Sequence, residues 1–205
     1  MDEVIKEEYY MLKDKIIQYI RVNQKDDSIK IFEEELDYLK NHQLADHVQF
    51  VETDASKRFE DAYIERCDKE TETMIRNESL AFLSEPIEYL KKHKNEFIYL
   101  ESKWFDLINV DAISLEADDV FGTYDVMLGL KLQKKFEKVL KELLDASLYG
   151  DEAKFDLIFS HEDGLWNLNF ALNFVKGFNE EMTIDEAFQL IYRFLFKLIE
   201  TVEGK

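Results

Sequence analysis

The amino-acid sequence predicts an α+β protein that is predominantly helical, with long antiparallel helices packed on a small antiparallel sheet that includes a C-terminal hairpin. One proline and six glycines in 205 residues leave few points at which a helix would be interrupted. Apolar residues recur at helical spacing along most of the chain, whereas one C-terminal stretch alternates as a strand does. The length predicts a single domain over residues 1–205, with a layer boundary near 84–104 between a charged helical half and a more aromatic α+β half.

The N-terminal half is predicted to contain three helices and one short strand. The first helix covers residues 2–21 and the second covers 29–39. A weak strand pattern follows at 48–51. Residues 53–83 contain neither proline nor glycine and predict a third, long helix. This helix has a narrow apolar stripe, which consists of Phe59, Tyr63, Cys67 and Met74. Such a stripe is typical of a helix that is only partly buried or that packs against another chain.

The middle of the chain is predicted to continue as helix. Residues 84–97 begin with a capping serine and have Pro86 in the first turn, where its missing N–H costs nothing. Residues 98–118 match neither the helical nor the strand period, and the sequence assigns them no structure. A clearer helix is predicted over 123–150, with a glycine as its C-terminal end.

The C-terminal region gives the strongest strand signal. Residues 155–159 and 166–174 alternate apolar and polar side chains, and an Asp-Gly turn pair between them predicts a hairpin. Thr183 and Glu186 have the spacing of a capping box. The wide apolar face that follows predicts a C-terminal helix that packs directly on the hairpin.

The charge balance bears on the partners of the chain. Its 45 acidic residues against 26 lysines and arginines give a net charge of −19. Such a chain repels nucleic acid and anionic membranes and attracts basic proteins. The longest apolar stretch, 187–199, is too short to cross a bilayer. With Cys67 as the only cysteine and no secretory signal pattern at the start, we expect a cytoplasmic protein, and its residue usage is typical of a bacterial source.

No motif for catalysis, cofactor binding or metal binding stands out in the sequence. The glycines form no phosphate-binding loop, and no nucleophile elbow is present. His42 and His47 lie five residues apart and would diverge on a helix, so they do not predict a zinc site. Cys67 is interpreted as a buried structural thiol. We therefore predict no catalytic residue, no cofactor and no metal ligand.

Two short clusters keep an enzyme open as an alternative. The first cluster consists of Glu116, Asp118, Asp119 and Asp125. Their carboxylate oxygens could bind Mg²⁺ or Ca²⁺. The favoured interpretation of these acids is that they stabilise the start of the helix at 123–150. In the other cluster, His161 beside Glu162 and Asp163 could act in acid–base chemistry, although a polar hairpin tip is the favoured interpretation.

Lysines concentrate on one predicted helix. Those that share a face are Lys131, Lys134, Lys135, Lys138 and Lys141. The favoured interpretation is that they face water or pair with acidic neighbours across a helix contact. The alternative is an anion site formed by Lys131, Lys134 and Lys138. No aromatic residues interleave with the lysines for base stacking, which argues against nucleic-acid binding.

These patterns favour a non-catalytic module that binds a basic protein through exposed acids of the second and third helices. The acids that we expect to contact the partner are Glu33, Glu34, Glu60 and Asp61. In style, the chain resembles small bacterial immunity proteins and inhibitors, which are acidic, poor in cysteine and without catalytic motifs, and this resemblance implies a binding role. The alternatives are a small enzyme with a carboxylate or histidine site, and a structural homo-oligomer that pairs through the stripe of the third helix.

Overall fold

The computed structural model describes residues 11–23, 28–44, 49–150 and 154–204. The α-helices in these ranges are α1 (Leu12–Asn23), α2 (Glu33–Asn41), α3 (Tyr89–Lys92), α4 (Glu137–Ser147) and α5 (Ile184–Glu203). The strands are β1 (Ser28–Ile31), β2 (Gln49–Glu52), β3 (Tyr63–Asp68), β4 (Met74–Asn77), β5 (Glu96–Glu101), β6 (Val110–Ala117), β7 (Tyr124–Leu130), β8 (Phe155–Ser160) and β9 (Leu165–Ala171). Short 3-10 helices lie at Ala55–Lys57, Leu80–Ser84, Lys103–Ile108, Lys134–Phe136 and Leu172–Phe174.

The architecture is rich in sheet, and the prediction of a predominantly helical fold with a small sheet is wrong. Seven strands form one antiparallel sheet in the order β4-β3-β5-β6-β7-β9-β8, and β1 pairs with β2 in a separate parallel pair. Of the described residues, 42% are helical and 30% lie in strands or bridges. Among the helices of the described residues, only α5, with 20 residues, is long. No helix among the described residues has the length and apolar character needed to cross a membrane.

The long helix predicted over 53–83 does not form. The segment contains β3 and β4, joined by a turn that is built without glycine or proline. In this turn the Asp68 carboxylate accepts the backbone N–H groups of Glu70 and Thr71, and Glu72 adopts a left-handed φ of 54°. Asp and Thr side chains that bond to nearby backbone groups can form a turn unaided. The scarcity of glycine and proline therefore did not mean a scarcity of turns.

Substitution of Glu72 by glycine distinguishes a hairpin from a helix, because the two structures predict opposite changes in stability. We expect Glu72→Gly to stabilise the protein by about 0.5 kcal/mol, because glycine relieves the left-handed strain at small entropic cost. In a helix interior, the same change would destabilise by about 1 kcal/mol. Urea unfolding measures the difference, with Glu70→Gly in the same turn as the control, which should destabilise. A destabilised Glu72→Gly variant would contradict the hairpin.

Three further helical predictions are wrong in part. The first three residues of the predicted helix 29–39 lie in β1, and the helix α2 begins only at Glu33. In place of the helix predicted over 84–97, α3 has four residues and the chain continues into β5. The segment of the helix predicted over 123–150 begins with β7, and α4 starts only at Glu137. Residues 98–118, which the sequence left unassigned, contain a 3-10 helix between β5 and β6, and this mixture has no single period.

The predictions with strong local signals are confirmed. β8 pairs with β9 as an antiparallel hairpin, although β9 ends at Ala171 and a 3-10 helix follows. The Thr183 hydroxyl accepts the Glu186 backbone N–H while the Glu186 carboxylate accepts the Thr183 N–H, as a capping box requires. The weak strand predicted at 48–51 corresponds to β2 from Gln49 onward, and Val48 and the predicted helix before Met11 lie outside the described residues.

The core lies between one face of the large sheet and the helices, above all α5. Rings from the two layers meet directly, with the centroids of Phe170 on β9 and Phe194 on α5 5.0 Å apart. Phe188 of α5 contacts Phe59, which follows the 3-10 helix Ala55–Lys57. Because side chains alternate between faces along a strand, the opposite face of the sheet carries the partly exposed residues of each strand.

The docking of α1 on α5 includes a carboxyl group that titrates near neutrality. A Glu203 oxygen accepts the Leu12 backbone N–H at 2.7 Å, and burial raises the pKa of Glu203 to about 7. The folded protein thus disfavours the charged form. The stability that this group contributes is present in full below the ordinary pKa of 4.5 and is lost as the pH rises through about 7.

We therefore expect Glu203→Gln to stabilise the protein at pH 8 and to have little effect at pH 4. The gain should be about 1 kcal/mol, since partial exposure reduces the effect of burial. Thermal unfolding at the two pH values measures it. Glu181→Gln, at an exposed position, should show no such pH-dependent difference. Equal effects of Glu203→Gln at both pH values would contradict the raised pKa.

Candidate functional site

A buried ionic cluster centred on Arg58 lies beneath the candidate site. The Arg58 side chain is 2% exposed, and its guanidinium donates to the carboxylates of Glu34 and Glu35. The Tyr192 hydroxyl of α5 donates to the same Glu35 carboxylate at 2.5 Å. The guanidinium also lies 3.9 Å from the ring centroid of Tyr192 and 4.2 Å from that of Phe32. Arginine suits such a site because its planar group can pair with carboxylates and stack on rings at once.

The Arg58 cluster joins distant parts of the chain and holds the aromatic residues above it. It contacts α2 through its glutamates and α5 through Tyr192. Burial raises the pKa of Glu34, and the nearby Arg58 partly offsets the rise. Trp104, from the 3-10 helix Lys103–Ile108, packs edge-on to Phe32 with a centroid distance of 4.7 Å. The guanidinium lies 5.2 Å from the Trp104 ring, so the cluster supports this ring from below.

A cleft of about 610 Å³ opens above these rings. Its floor contains Trp104, Phe32 and Tyr19, and the Tyr19 hydroxyl donates to the Lys30 carbonyl oxygen at 3.1 Å. The charged residues that line the cleft are Glu52, Asp54, Glu60, Asp61, Lys30, Lys57 and Lys103. The cleft thus combines an apolar aromatic floor with a charged rim, the arrangement of many recognition sites.

An acidic depression of about 410 Å³ adjoins this cleft. Its lining residues are Asp61, Tyr63, Glu101, Ser102, Lys103, Asp106 and Asp111. Asp61 and Lys103 line both hollows and pair with each other at 2.5 Å, so they form the ridge between them. Together the two hollows carry seven carboxylates and three lysines. The combined surface, which we call the acidic cleft, therefore favours a cationic ligand.

Two tyrosine–glutamate pairs extend the acidic cleft onto the open face of the sheet. The Tyr99 hydroxyl donates to Glu101 at 2.6 Å, and the Tyr63 hydroxyl donates to Glu65. In the β3–β5 register, Tyr63 lies opposite Glu101 and Glu65 lies opposite Tyr99. Burial and the bond to Glu101 raise the pKa of Tyr99, so both hydroxyls stay protonated at neutral pH.

The structure brings together two of the four acids that were predicted to bind a partner. Glu60 and Asp61 line the cleft, although they lie in a turn before β3 and not on a third helix. Glu33 is exposed in the first turn of α2. Glu34 lies mostly inside the Arg58 cluster, because its carboxylate pairs with the buried Arg58 guanidinium and only 15% of its side chain is exposed. The role of these acids in partner binding stays a prediction.

The predicted lysine face is not continuous. Lys131 follows β7 and pairs with Asp111 at 2.7 Å, and Lys134 lies 3.1 Å from a His161 ring nitrogen. On α4, Lys138 and Lys141 pair with glutamates one helical turn away. These two lysines therefore pair with acids of their own helix and not across a helix contact. An anion site on Lys131, Lys134 and Lys138 stays a prediction that depends on a helix face the structure does not contain.

The acids that were interpreted as a helix start belong instead to the β6–β7 hairpin. Asp118 accepts the backbone N–H groups of Val120 and Phe121 in the turn. Glu116 and Asp125 lie opposite each other in the register, and burial raises the pKa of both, while Lys69 lies 3.3 Å from Glu116. Within the described residues, no group of three histidine, cysteine or acidic side chains converges as metal ligands do.

The remaining sequence candidates are also placed by the structure. His161 is exposed at the tip of the β8–β9 hairpin, as predicted. Cys67 is buried, as predicted, but lies on β3, where burial raises the pKa of its thiol to about 11. The stripe proposed for homo-oligomer formation is not a surface: Phe59 and Cys67 are buried, whereas Tyr63 and Met74 are exposed on different strands.

Sequence reasoning missed most of the acidic cleft. Trp104, Asp106 and Asp111 lie in the segment to which no structure was assigned, and Arg58 was not singled out. Arg58 follows Lys57 in a charged segment, and no local pattern marks it as a buried counter-ion. No protein-family model, no curated protein and no solved structure matches this chain.

Proposed function

We propose that the protein is a non-catalytic interaction module that binds a basic protein through the acidic cleft. The supporting observation is that two adjacent hollows with an aromatic floor carry seven carboxylates against three lysines. A basic partner segment would place its cationic side chains at the carboxylates and its apolar side chains over the rings. The strong negative charge of the whole chain would speed association with such a partner.

The chain itself shows how a cation is accommodated at this surface. The Lys103 ammonium pairs with Asp61 and lies 5.9 Å from the ring centroid of Trp104. Contacts of an ammonium group with a carboxylate and an aromatic face are each weak when exposed, and they strengthen when a partner excludes water. A lysine or arginine of a partner could make the same two contacts at the neighbouring carboxylates, such as Glu60.

The proposal predicts that charge reversal in the cleft weakens binding more than the same reversal elsewhere. The probe is a fluorescently labelled lysine-rich peptide, whose anisotropy reports binding at low ionic strength. We expect Glu60→Lys with Asp61→Lys to raise the dissociation constant about tenfold or more. The matched control, Glu142→Lys with Asp145→Lys on α4, changes the net charge equally and should raise it less than about threefold.

The comparison of the two double variants decides the outcome. Equal weakening in both would show that the peptide responds only to net charge, and the acidic cleft would then not be the binding surface. Circular dichroism of each variant verifies that the fold is retained; all four residues lie at the surface.

A further inference from the structure

The two edges of the large sheet differ in how they are protected against pairing. β4, at one edge, has only four residues, contains Arg76 and pairs with β3 through an irregular register. Short length, charge and irregularity are the usual means by which an edge strand avoids pairing with another chain. β8, at the other edge, has six residues in regular register with β9 and contains neither lysine, arginine nor proline. In the described part of the chain, no strand lies beyond β8.

The side chains of β8 are arranged symmetrically about Ile158. This residue faces the open side of the sheet and is 57% exposed. Leu157 and Phe159, on either side of it, face the core layer, and Asp156 and Ser160 are the next residues toward the open side. Asp156 is the only charged residue of the strand.

We propose that β8 pairs antiparallel with β8 of a second copy of this chain, with the two Ile158 side chains opposite each other on a two-fold axis. In this register Leu157 lies opposite Phe159 of the second copy, and Asp156 lies opposite its Ser160. Every pair then shares a face of the sheet, as antiparallel pairing requires. Apolar residues meet apolar residues, and the two Asp156 carboxylates lie at opposite ends of the contact.

A second copy fits this edge better than an unrelated strand because the pattern is complementary to itself. A two-fold contact needs one surface whose residues match when their order is reversed, and the five residues about Ile158 do so. The pairing would join two seven-stranded sheets into one continuous sheet and cover the exposed Ile158. The contact is small, so the dimer should be weak and dependent on concentration.

Sedimentation velocity of the full chain over a concentration series tests the proposal. We expect a reversible dimer for the natural sequence. Ile158→Lys places like charges opposite each other and should raise the dimer dissociation constant about tenfold or more. Ile75→Lys is the matched control, because Ile75 is an exposed isoleucine on the other edge strand. It should dimerise as the natural sequence does.

Two further samples fix the geometry and keep the test valid if one variant is unstable. An equimolar mixture of Ile158→Lys and Ile158→Glu should recover the dimer, because opposite charges then meet on the axis. Mild oxidation of Ile158→Cys should give a disulfide-linked dimer, whereas Ile75→Cys should not, and Cys67 is buried. A natural chain that stays monomeric, an Ile158→Lys variant that dimerises normally, or a mixture that does not recover the dimer would overturn the proposal.

Discussion

Replacement of Arg58 by methionine is expected to destabilise the protein by about 3–5 kcal/mol, since it leaves buried carboxylates without their counter-ion. Glu35 is fully buried, and 15% of the Glu34 side chain is exposed. Charged carboxylates only accept hydrogen bonds, so the two cannot satisfy each other. Arg193 would remain 4.0 Å from Glu34 and Tyr192 would remain as a donor to Glu35, but a neutral hydroxyl does not neutralise the charge of the buried Glu35. Urea unfolding measures the loss.

Two comparisons separate this electrostatic effect from a loss of packing. Arg76→Met, at an exposed arginine on β4, should change stability by less than about 0.5 kcal/mol. Arg58→Met combined with Glu34→Gln and Glu35→Gln should recover part of the loss, because the uncompensated charges are then gone. A loss of less than about 1 kcal/mol for Arg58→Met would show that the cluster contributes little to the stability of the fold.

Trp104→Ala is expected to have the second largest effect, a loss of about 3–4 kcal/mol. The indole is 6% exposed and packs against Tyr19, Phe32 and the Arg58 guanidinium, so its removal leaves a cavity that these rigid neighbours cannot fill. Trp104→Phe should lose clearly less, because a smaller ring still covers part of the floor.

The contact between Trp104 and Arg58 predicts that their effects are coupled. In a double-mutant cycle, the loss for Trp104→Ala with Arg58→Met should differ from the sum of the single losses by at least 0.5 kcal/mol, as it does for residues in direct contact. Strictly additive stability losses for the two substitutions would contradict our interpretation that the Arg58 cluster supports the Trp104 ring.

The hairpin and α5 could be predicted because their signals are local. The Asp-Gly turn, the alternation that begins at Trp166 and the capping box at Thr183 each act over a few residues. β7 was taken for helix because its outward residues, such as Met127 and Gly129, are not polar and hide the alternation. The apolar residues Leu128, Leu132 and Phe136 then mimic helical spacing across the junction of a strand and a helix.

Only part of the acidic cleft could be predicted from the sequence. Glu60 and Asp61 stand out as acids in a charged segment, but the floor is assembled from residues far apart in the sequence, such as Tyr19 and Trp104. Tertiary packing alone brings them together, and no periodicity marks them. Glu34 illustrates the converse, since an acid that looks solvent-facing on a predicted helix is drawn inside by a distant arginine.

We propose that the acidic cleft binds a basic protein, and affinity capture from a lysate of the source cells tests this proposal most directly. The natural chain, the double variant Glu60→Lys with Asp61→Lys, and the control Glu142→Lys with Asp145→Lys serve as baits side by side. The account predicts a basic protein that the natural chain and the control retain at low salt and release at high salt, and that the cleft variant does not retain. Retention of the same proteins by all three baits, or retention of none by the natural chain, would contradict it.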